Sequence, residues 1–374
     1  MSTILTRYLT PFIVKDLQKK MVFLGGPRQI GKTTLSQSLL PEGVGYYNWD
    51  FAEDRTTIRN CGWPRTQKLI VLDEVHKLRG WRNLIKGYFD KLKHTHQFLV
   101  TGSARLDHFR RGGDSLLGRY HYYRLHPLSF SELGNKVENL HTLLTFGGFP
   151  EPFLAQDAVE LKRWHRARVA KLVSTDLREL ETVIEIDKIE LLAEELPNRV
   201  GSPLSVRNLA LDLEIDPKTA KRWLEMLDSL YYCFQIAPYG TSKIRAVKKE
   251  QKLYLWDWSQ VTAEGARFEN MVACHLLKYC HFHEDVYGEK LELRYIRDVN
   301  KREIDFVVLK NRTPLFAVEV KLSFQALDPS IPYFFDRLRL PKVYQVHLGD
   351  QQKQVRDEIV VCSFAEFCKL ENLV

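Results

Sequence analysis

The stretch Gly26-Pro27-Arg28-Gln29-Ile30-Gly31-Lys32-Thr33 reads as glycine, four residues, then glycine-lysine-threonine, and nothing else in the chain limits its fold as tightly. A loop of this kind needs a strand before it and a helix after it. The glycines let successive backbone N–H groups converge, and the helix N-terminus adds the positive end of its dipole. Both flanks are present. Met21-Val22-Phe23-Leu24 is a short apolar run that predicts a buried strand, and Thr34 to Leu40 predicts a helix that Pro41 stops. The unit predicts an anion cradle made by Gly26, Pro27, Arg28, Gln29, Ile30, Gly31, Lys32, Thr33 and Thr34. In it Lys32 would reach the β- and γ-phosphates of ATP, and the Thr33 hydroxyl would face Mg²⁺.

A second element supports the first. Lys68 to Leu72 is apolar apart from its first residue and leads into Asp73-Glu74. A continuous apolar run suits a parallel strand buried on both faces. Its carboxylates then emerge at the C-terminal end, where open α/β sheets bind ligands. Asp73 is the candidate for the Mg²⁺ shell and Glu74 for orienting or activating the attacking water, so the pair points to hydrolysis and not to binding alone. Tyr46 to Asp50 predicts another strand, as does Gln97 to Ala104. At the exit of the latter, Thr101 and Ser103 either place a hydroxyl near the γ-phosphate or simply mark a strand-to-turn boundary. Arg105 to Arg119 is a basic, glycine-bearing segment with Arg110, Arg111, Gly112 and Gly113. Arg119 directly precedes Tyr120 to Leu125, the expected last core strand, and is the arginine chosen as a phosphate contact, in cis or in trans.

Thr101-Gly102-Ser103-Ala104, Leu117-Gly118-Arg119, His126-Pro127-Leu128-Ser129-Phe130-Ser131-Glu132-Leu133 and Gly147-Gly148-Phe149-Pro150-Glu151 follow the two phosphate-site motifs in that order. Nearly the whole chain thereby resembles a family of bacterial and archaeal AAA-type P-loop ATPases. Members of that family carry a C-terminal domain of unknown function with a restriction-endonuclease-like fold. The resemblance implies ATP binding. The Pro-Leu-Ser-Phe and Gly-Gly-Phe-Pro stretches carry most of it, because P-loop proteins in general lack them.

Beyond Gln156 the chain reads as charged helices with an apolar stripe of Leu161, Trp164, Val169, Leu172 and Val173. Ser205 to Leu213 and Asp216 to Leu227 have the layout of a helix-turn-helix, with Ser205 and Asp216 as caps and Pro217 at a helix start. Tyr231 to Ile236 would be a wing strand. Lys218, Lys221 and Arg222 share one face of the second helix, which would either enter a DNA groove or lie solvated on a lid. Lys243, Arg245, Lys248, Lys249 and Lys252 predict an exposed basic linker or hairpin.

In the last third, Glu264 to Tyr279 predicts an amphipathic helix, and Leu291 to Arg297, Glu303 to Leu309 and Leu315 to Lys321 predict strands. Strand periodicity puts Glu319 and Lys321 on one face and Phe316, Val318 and Val320 on the other. Asp305, then a gap, then Glu319-x-Lys321 is the PD-(D/E)xK nuclease layout, although Ile304 stands where the proline is usual. In that reading Asp305 and Glu319 hold a divalent cation, Mg²⁺ or Mn²⁺. Glu269 completes the shell and Lys321 steadies water for attack on a phosphodiester. An internally neutralised ion cluster without chemistry is the alternative. Cys274, Cys280, His281 and His283 fit no zinc spacing and read as buried thiols with a helix-end histidine pair.

Composition sets outer limits. The 374 residues are 44% hydrophobic and 27% charged, ordinary globular material with room for two or three domains. A net charge of +8 permits nucleic acid without requiring it. Six cysteines without a CxxC pair, no apolar run near the roughly 20 residues that span a bilayer, and a first segment unlike a signal peptide together predict a cytoplasmic protein with no membrane role. The expected architecture is α/β, in three parts. Residues 1–150 form an AAA-like P-loop domain, 151–240 a helical and winged-helix domain, and 241–374 a PD-(D/E)xK-like domain of mixed α/β structure. The expected activity is ATP hydrolysis directed at DNA, with metal-dependent nuclease action as an addition and room for a homo-oligomer. The competing expectation is a nucleotide-dependent switch or scaffold with an inactive C-terminal domain that binds nucleic acid or protein.

Overall fold

The computed structural model describes residues 5–39, 44–102, 106, 116–177, 185–240, 250–351, 353–356 and 358–374. Expectations for Pro41, for Ser103, Ala104, Arg105, Arg110, Arg111, Gly112 and Gly113, and for Lys243, Arg245, Lys248 and Lys249 fall outside them. The chain divides into two compact units, one running to His126 and taking in Ser229–Tyr231, the other made of the remainder from Pro127 on.

The first unit is built on five strands: β1 (Met21–Gly25), β2 (Val44–Asn48), β3 (Leu69–Asp73), β4 (Gln97–Thr101) and β5 (Tyr120–Arg124). They lie in the order β2-β3-β4-β1-β5 and every pairing is parallel. All residues of β1 and β3 are buried, as their unbroken apolar runs require. One face of the core gathers Phe23, Ile70, Leu72, Phe98 and Val100 against Trp81, Ile85 and Tyr88 of the helix Trp81–Leu92. Those three recur at helical spacing and form its buried stripe. Each large side chain buried in this way contributes about 1.5–3 kcal/mol. The helix expected over residues 4–20 is the shorter Thr10–Leu17. Pro11 does not break it but stands in its first turn, where a missing N–H leaves no bond unmade.

This order has one consequence for function. β4 lies between β1 and β3, so its last residue, Thr101, stands between the glycine loop after β1 and the acids after β3.

The second unit begins with the helices Val137–Phe146, Pro150–Ala155 and Ala158–Lys171. Further on, the helix Ile186–Glu195 and strand β6 (Pro203–Leu204) precede the helices Val206–Asp212 and Pro217–Ser229, then β7 (Cys233–Ile236) and β8 (Gln251–Leu255). The three strands form an antiparallel sheet in the order β6-β8-β7. Ser205 Oγ accepts from Asn208 N at 3.3 Å and Asp216 Oδ1 from Lys218 N at 2.8 Å, so both expected caps are made. The predicted amphipathic helix runs longer than its apolar pattern, over Glu264–Tyr287.

Six strands complete the unit: β9 (Leu291–Arg297), β10 (Glu303–Lys310), β11 (Thr313–Val320), β12 (Val343–His347), β13 (Lys353–Arg356) and β14 (Ile359–Ser363), in the order β13-β14-β12-β11-β10-β9. β10 and β11 are an antiparallel hairpin, with Phe306 opposite Val318, whereas β11, β12 and β14 run parallel. The sheet is therefore mixed.

The two stretches that P-loop proteins lack are packing devices of this second unit. Gly147 has φ +78°, and a Cβ there would lie 2.8 Å from Asp257 Oδ1. A Cβ on Gly148 would lie 2.6 Å from the Trp258 ring and 2.7 Å from the Leu128 carbonyl. The Pro-Leu-Ser-Phe segment is clamped to the helix Glu264–Tyr287. His275 Nε2 accepts from Phe130 N at 3.1 Å, and Lys278 Nζ donates to Ser129 Oγ at 2.7 Å and to Glu132.

Candidate functional site

The glycine loop has the conformation its residues allow. Gly26 has φ +137°, and a Cβ there would come within 2.5 Å of the Leu125 carbonyl oxygen, so only glycine fits. Gly31, at φ +90°, caps the helix Lys32–Ser38. Lys32 Nζ donates to the carbonyls of Gly26 at 2.9 Å and Pro27 at 2.6 Å, which places the ammonium at the mouth of its own loop. Arg7 braces the loop from behind. Its buried guanidinium donates to Ile30 O at 2.8 Å and to His126 O at 2.5 Å. No local pattern in the sequence marks Arg7, because its partners lie 23 and 119 residues away.

Asp73 is held from both neighbouring strands. Thr101 Oγ1, from β4, donates to Oδ1 at 2.7 Å, and Tyr46 Oη, from β2, donates to Oδ2. The Thr33 side chain also acts on the Tyr46 phenol, in the direction that lowers its pKa, so the hydroxyl and the carboxylate expected at Mg²⁺ are both coupled to one phenol. Burial, then the Asp73 carboxylate, pushes the Tyr46 phenol far above its ordinary range and keeps it a donor. Oxygen donors of this kind suit Mg²⁺, which retains several waters and takes few protein ligands. Aromatic residues in β2 were visible in the sequence, but not that one of them would bridge the two motifs.

Glu74 leaves β3 in a left-handed conformation, φ +55°, and turns back toward the loop. Burial and then Asp73 push its carboxyl upward, while Lys77, Arg28 and Lys32 oppose them. Its Oε2 is buried and accepts no hydrogen bond from the described residues; Lys77 Nζ lies at 3.5 Å and His76 Nε2 at 3.6 Å. Thr101 spends its hydroxyl on Asp73, which is the role the structure supports for it over a plain strand end.

Arg119 is not at this site. Its carbonyl accepts from Met21 N at the start of β1, whereas the glycine loop follows the end of that strand. In a parallel sheet the two ends are a strand's length apart, so the expected phosphate contact in cis is corrected. The guanidinium forms a two-point bond with Asp90, at 2.9 and 3.2 Å.

In the second unit the sheet brings Asp305, Glu319 and Lys321 together as the strand period predicts. Asp305 N donates to Glu319 Oε2 at 3.3 Å, Val320 N to Asp305 Oδ2 at 3.0 Å, and Lys321 Nζ to Glu319 Oε1 at 2.9 Å. Lys321 also reaches Asp328 Oδ2 at 2.8 Å. Glu269 joins from its helix, with Oε1 accepting from Tyr254 Oη at 2.7 Å. Burial, reinforced by Asp305, pushes both Glu269 and Glu319 upward.

The cation expected among Glu269, Asp305 and Glu319 is a second point of correction. Among the described residues no group of three or more His, Cys, Asp or Glu side chains is arranged to hold a metal ion. Between Glu269 and Asp305 stands the ammonium of Lys252, 3.3 Å from Glu269 Oε1, 3.1 Å from Asp305 Oδ1 and 2.5 Å from Glu303 Oε1. The residues present therefore do not fit a shared divalent ion. Lys252 itself was expected in an exposed basic stretch, yet it is 1% exposed. Burial works against its charge, but Tyr254, Asp305, Glu269 and Glu303 together outweigh it and raise its pKa well above the ordinary value. Cys274 and Cys280 are buried free thiols of the helix Glu264–Tyr287.

Residues 18–134 match the family profile of an AAA domain. Residues 137–264 match a domain of unknown function, DUF8612, and residues 264–367 another, DUF4143. An uncharacterized protein of Mycobacterium tuberculosis is 26% identical over 242 residues, 63% of this chain and 54% of its own length. The chain thus spans about half the length of that relative. An uncharacterized protein of Methanocaldococcus jannaschii is 24% identical over 94% of this chain and 85% of its own. Among solved structures, Thermotoga maritima RuvB R170A aligns over 61% of this chain and 88% of its own at 16% identity and a TM-score of 0.32. The Saccharomyces cerevisiae Hsp104–ADP complex aligns over 59% and 38% at 13% identity and a TM-score of 0.29. Both are too remote to add to what the sheet itself displays. The five-stranded parallel sheet, its glycine loop and the acids after β3 define a P-loop ATPase core. The matched profile makes the N-terminal part of the chain similar to AAA-type domains, and its second unit matches two domains of unknown function.

Proposed function

We propose that this chain hydrolyses ATP and uses the reaction to act on DNA. The observation that carries the first half is the grip on Asp73 by Tyr46 and Thr101, with Thr33 on the same phenol. Phosphates lie along the backbone of Gly26 to Thr34, and Lys32 leaves the loop carbonyls for the β- and γ-oxygens. Asp73 and Thr33 would hold Mg²⁺, which would supply charge neutralisation to the phosphates. Glu74 orients a water in line with the γ-phosphorus and receives its proton; the bond to the β–γ bridging oxygen breaks, and ADP and phosphate leave. Its unbonded, buried oxygen supports that role.

The second half rests on the 186–255 segment. A helix, a short strand, two helices and two further strands in an antiparallel sheet support a winged-helix reading. Lys218, Lys221 and Arg222 are exposed on the second helix of the pair. Such a helix enters the major groove of duplex DNA, with cationic side chains on phosphates. Binding of a labelled duplex across a salt series tests this reading. Affinity falls steeply with salt, and replacing Lys218, Lys221 and Arg222 together by alanine flattens the slope by up to about three charges' worth of counterion release. An unchanged slope would remove this helix from the interface.

A further inference from the structure

The acids of the C-terminal sheet have the layout of a metal-dependent nuclease, but the geometry points to a different occupant. We propose that this cluster is a cation site filled by the chain itself, with the Lys252 ammonium standing where a divalent ion would bridge Glu269 and Asp305. The domain would then present a nuclease-like surface without cutting.

Three observations carry this. The first is position. Lys252 reaches the cluster from β8, a strand of another sheet, and its Nζ touches three carboxylates from two separate elements, Glu269 on the helix Glu264–Tyr287 and Glu303 and Asp305 on β10. The second is permanence. Lys252 is 1% exposed, its backbone lies in register with Pro203 on one side and Ile236 on the other, and its ammonium lies 5.6 Å from the centre of the Tyr295 ring. A central strand paired on both edges does not swing out to admit a metal. The third is saturation. Each acid has further partners: Tyr254 on Glu269, Arg297 on Glu303, Val320 N on Asp305 and Lys321 on Glu319. A divalent ion between Glu269 and Asp305 would have to displace the ammonium that already neutralises them, as well as these N–H and O–H donors.

Buried carboxylates on one sheet strongly destabilise a protein unless a cation faces them. Lys252 meets that need without a metal, and so frees the domain from depending on one.

The test uses the full chain without nucleotide. Mn²⁺ binding is followed by the paramagnetic resonance of the free ion for wild type and for Asp305→Asn. The expected result is the same Mn²⁺ stoichiometry for both. Loss of a bound Mn²⁺ in Asp305→Asn, or Mn²⁺-dependent cleavage of duplex or single-stranded DNA that Asp305→Asn abolishes, would overturn the proposal. The second arm is Lys252→Ala, which vacates the ammonium position. Its Tm falls on the order of 10 °C, and millimolar Mn²⁺ restores much of that loss, since an ion bound only by the folded state raises Tm. The restoration disappears in Lys252→Ala/Asp305→Asn. A soluble Lys252→Ala whose Tm ignores Mn²⁺ would contradict a cation site. If Lys252→Ala is insoluble with or without Mn²⁺, the comparison of wild type with Asp305→Asn decides.

Discussion

Tyr46 Oη donates to Asp73 Oδ2 across adjacent strands, β2 to β3, from a position that also reaches the Thr33 side chain. A single phenol thus fixes the carboxylate and adjoins the hydroxyl that are proposed to hold Mg²⁺. Tyr46→Phe keeps the ring and removes the link. A hydrogen bond to a charged group contributes about 1.5–3 kcal/mol, so kcat for ATP falls roughly 10- to 100-fold. The affinity for nucleotide measured without Mg²⁺ stays within about twofold, since the loop backbone is untouched. Parallel measurement of kcat and of metal-free binding checks this; an unaltered kcat would make Tyr46 a spectator.

Arg119 and Asp90 give the opposite kind of prediction. Their two-point pair is solvent-exposed and far from the loop. Such pairs are of little consequence for stability. Arg119→Ala leaves ATP turnover within about twofold of wild type at saturating protein concentration, against a far larger loss expected for groups that touch phosphate. Turnover that collapses in Arg119→Ala and recovers on mixing with a Lys32→Ala partner would show that Arg119 serves a neighbouring copy.

These cases show what a linear reading can reach. The strands β1 and β3 are legible because fully buried parallel strands need unbroken apolar runs, and the Glu319–Lys321 pairing is legible because strand periodicity is two. Arg119 misleads because nearness to a core strand in sequence does not say which end of the sheet a residue occupies; standing before β5, it must lie at the end opposite the loop. Lys252 is illegible for another reason. It sits in the charged run Lys248-Lys249-Glu250-Gln251-Lys252, and its burial comes from Asp305, 53 residues away. The Gly-Gly-Phe-Pro stretch is conspicuous in the sequence, but its cause, the crowding of Gly147 and Gly148 by Asp257 and Trp258, belongs to tertiary packing.

His275 predicts how stability changes with pH. Its Nδ1–H donates to Met271 O at 2.7 Å and its Nε2 accepts from Phe130 N at 3.1 Å, an arrangement that only the neutral ring can make. Burial, the largest influence, depresses its pKa to about 4. The folded state therefore binds the proton less readily than the unfolded chain, whose histidine titrates near 6.5. The stabilisation is complete above about pH 6.5 and is lost as pH falls toward 4, at a total of roughly 3 kcal/mol. Denaturant midpoints taken from pH 7.5 to 4.5 follow this course, and His275→Gln reduces the slope between pH 6.5 and 4.5. An identical slope in that variant would assign the acid sensitivity to other groups.

Hydrolysis of ATP by the glycine loop with Asp73 and Glu74 is put to the test by Glu74→Gln. The amide keeps the shape of the side chain and leaves Asp73 in the grip of Tyr46 and Thr101, but it cannot take a proton from water. Single-turnover reactions with labelled ATP and Mg²⁺, with and without duplex DNA, compare wild type, Lys32→Ala and Glu74→Gln. Wild type forms ADP, Lys32→Ala gives neither retained nucleotide nor ADP, and Glu74→Gln retains ATP uncleaved, with a rate at least about 100-fold below wild type. Glu74→Gln that turns over at the wild-type rate, or wild type that forms no ADP in either condition, would contradict this assignment.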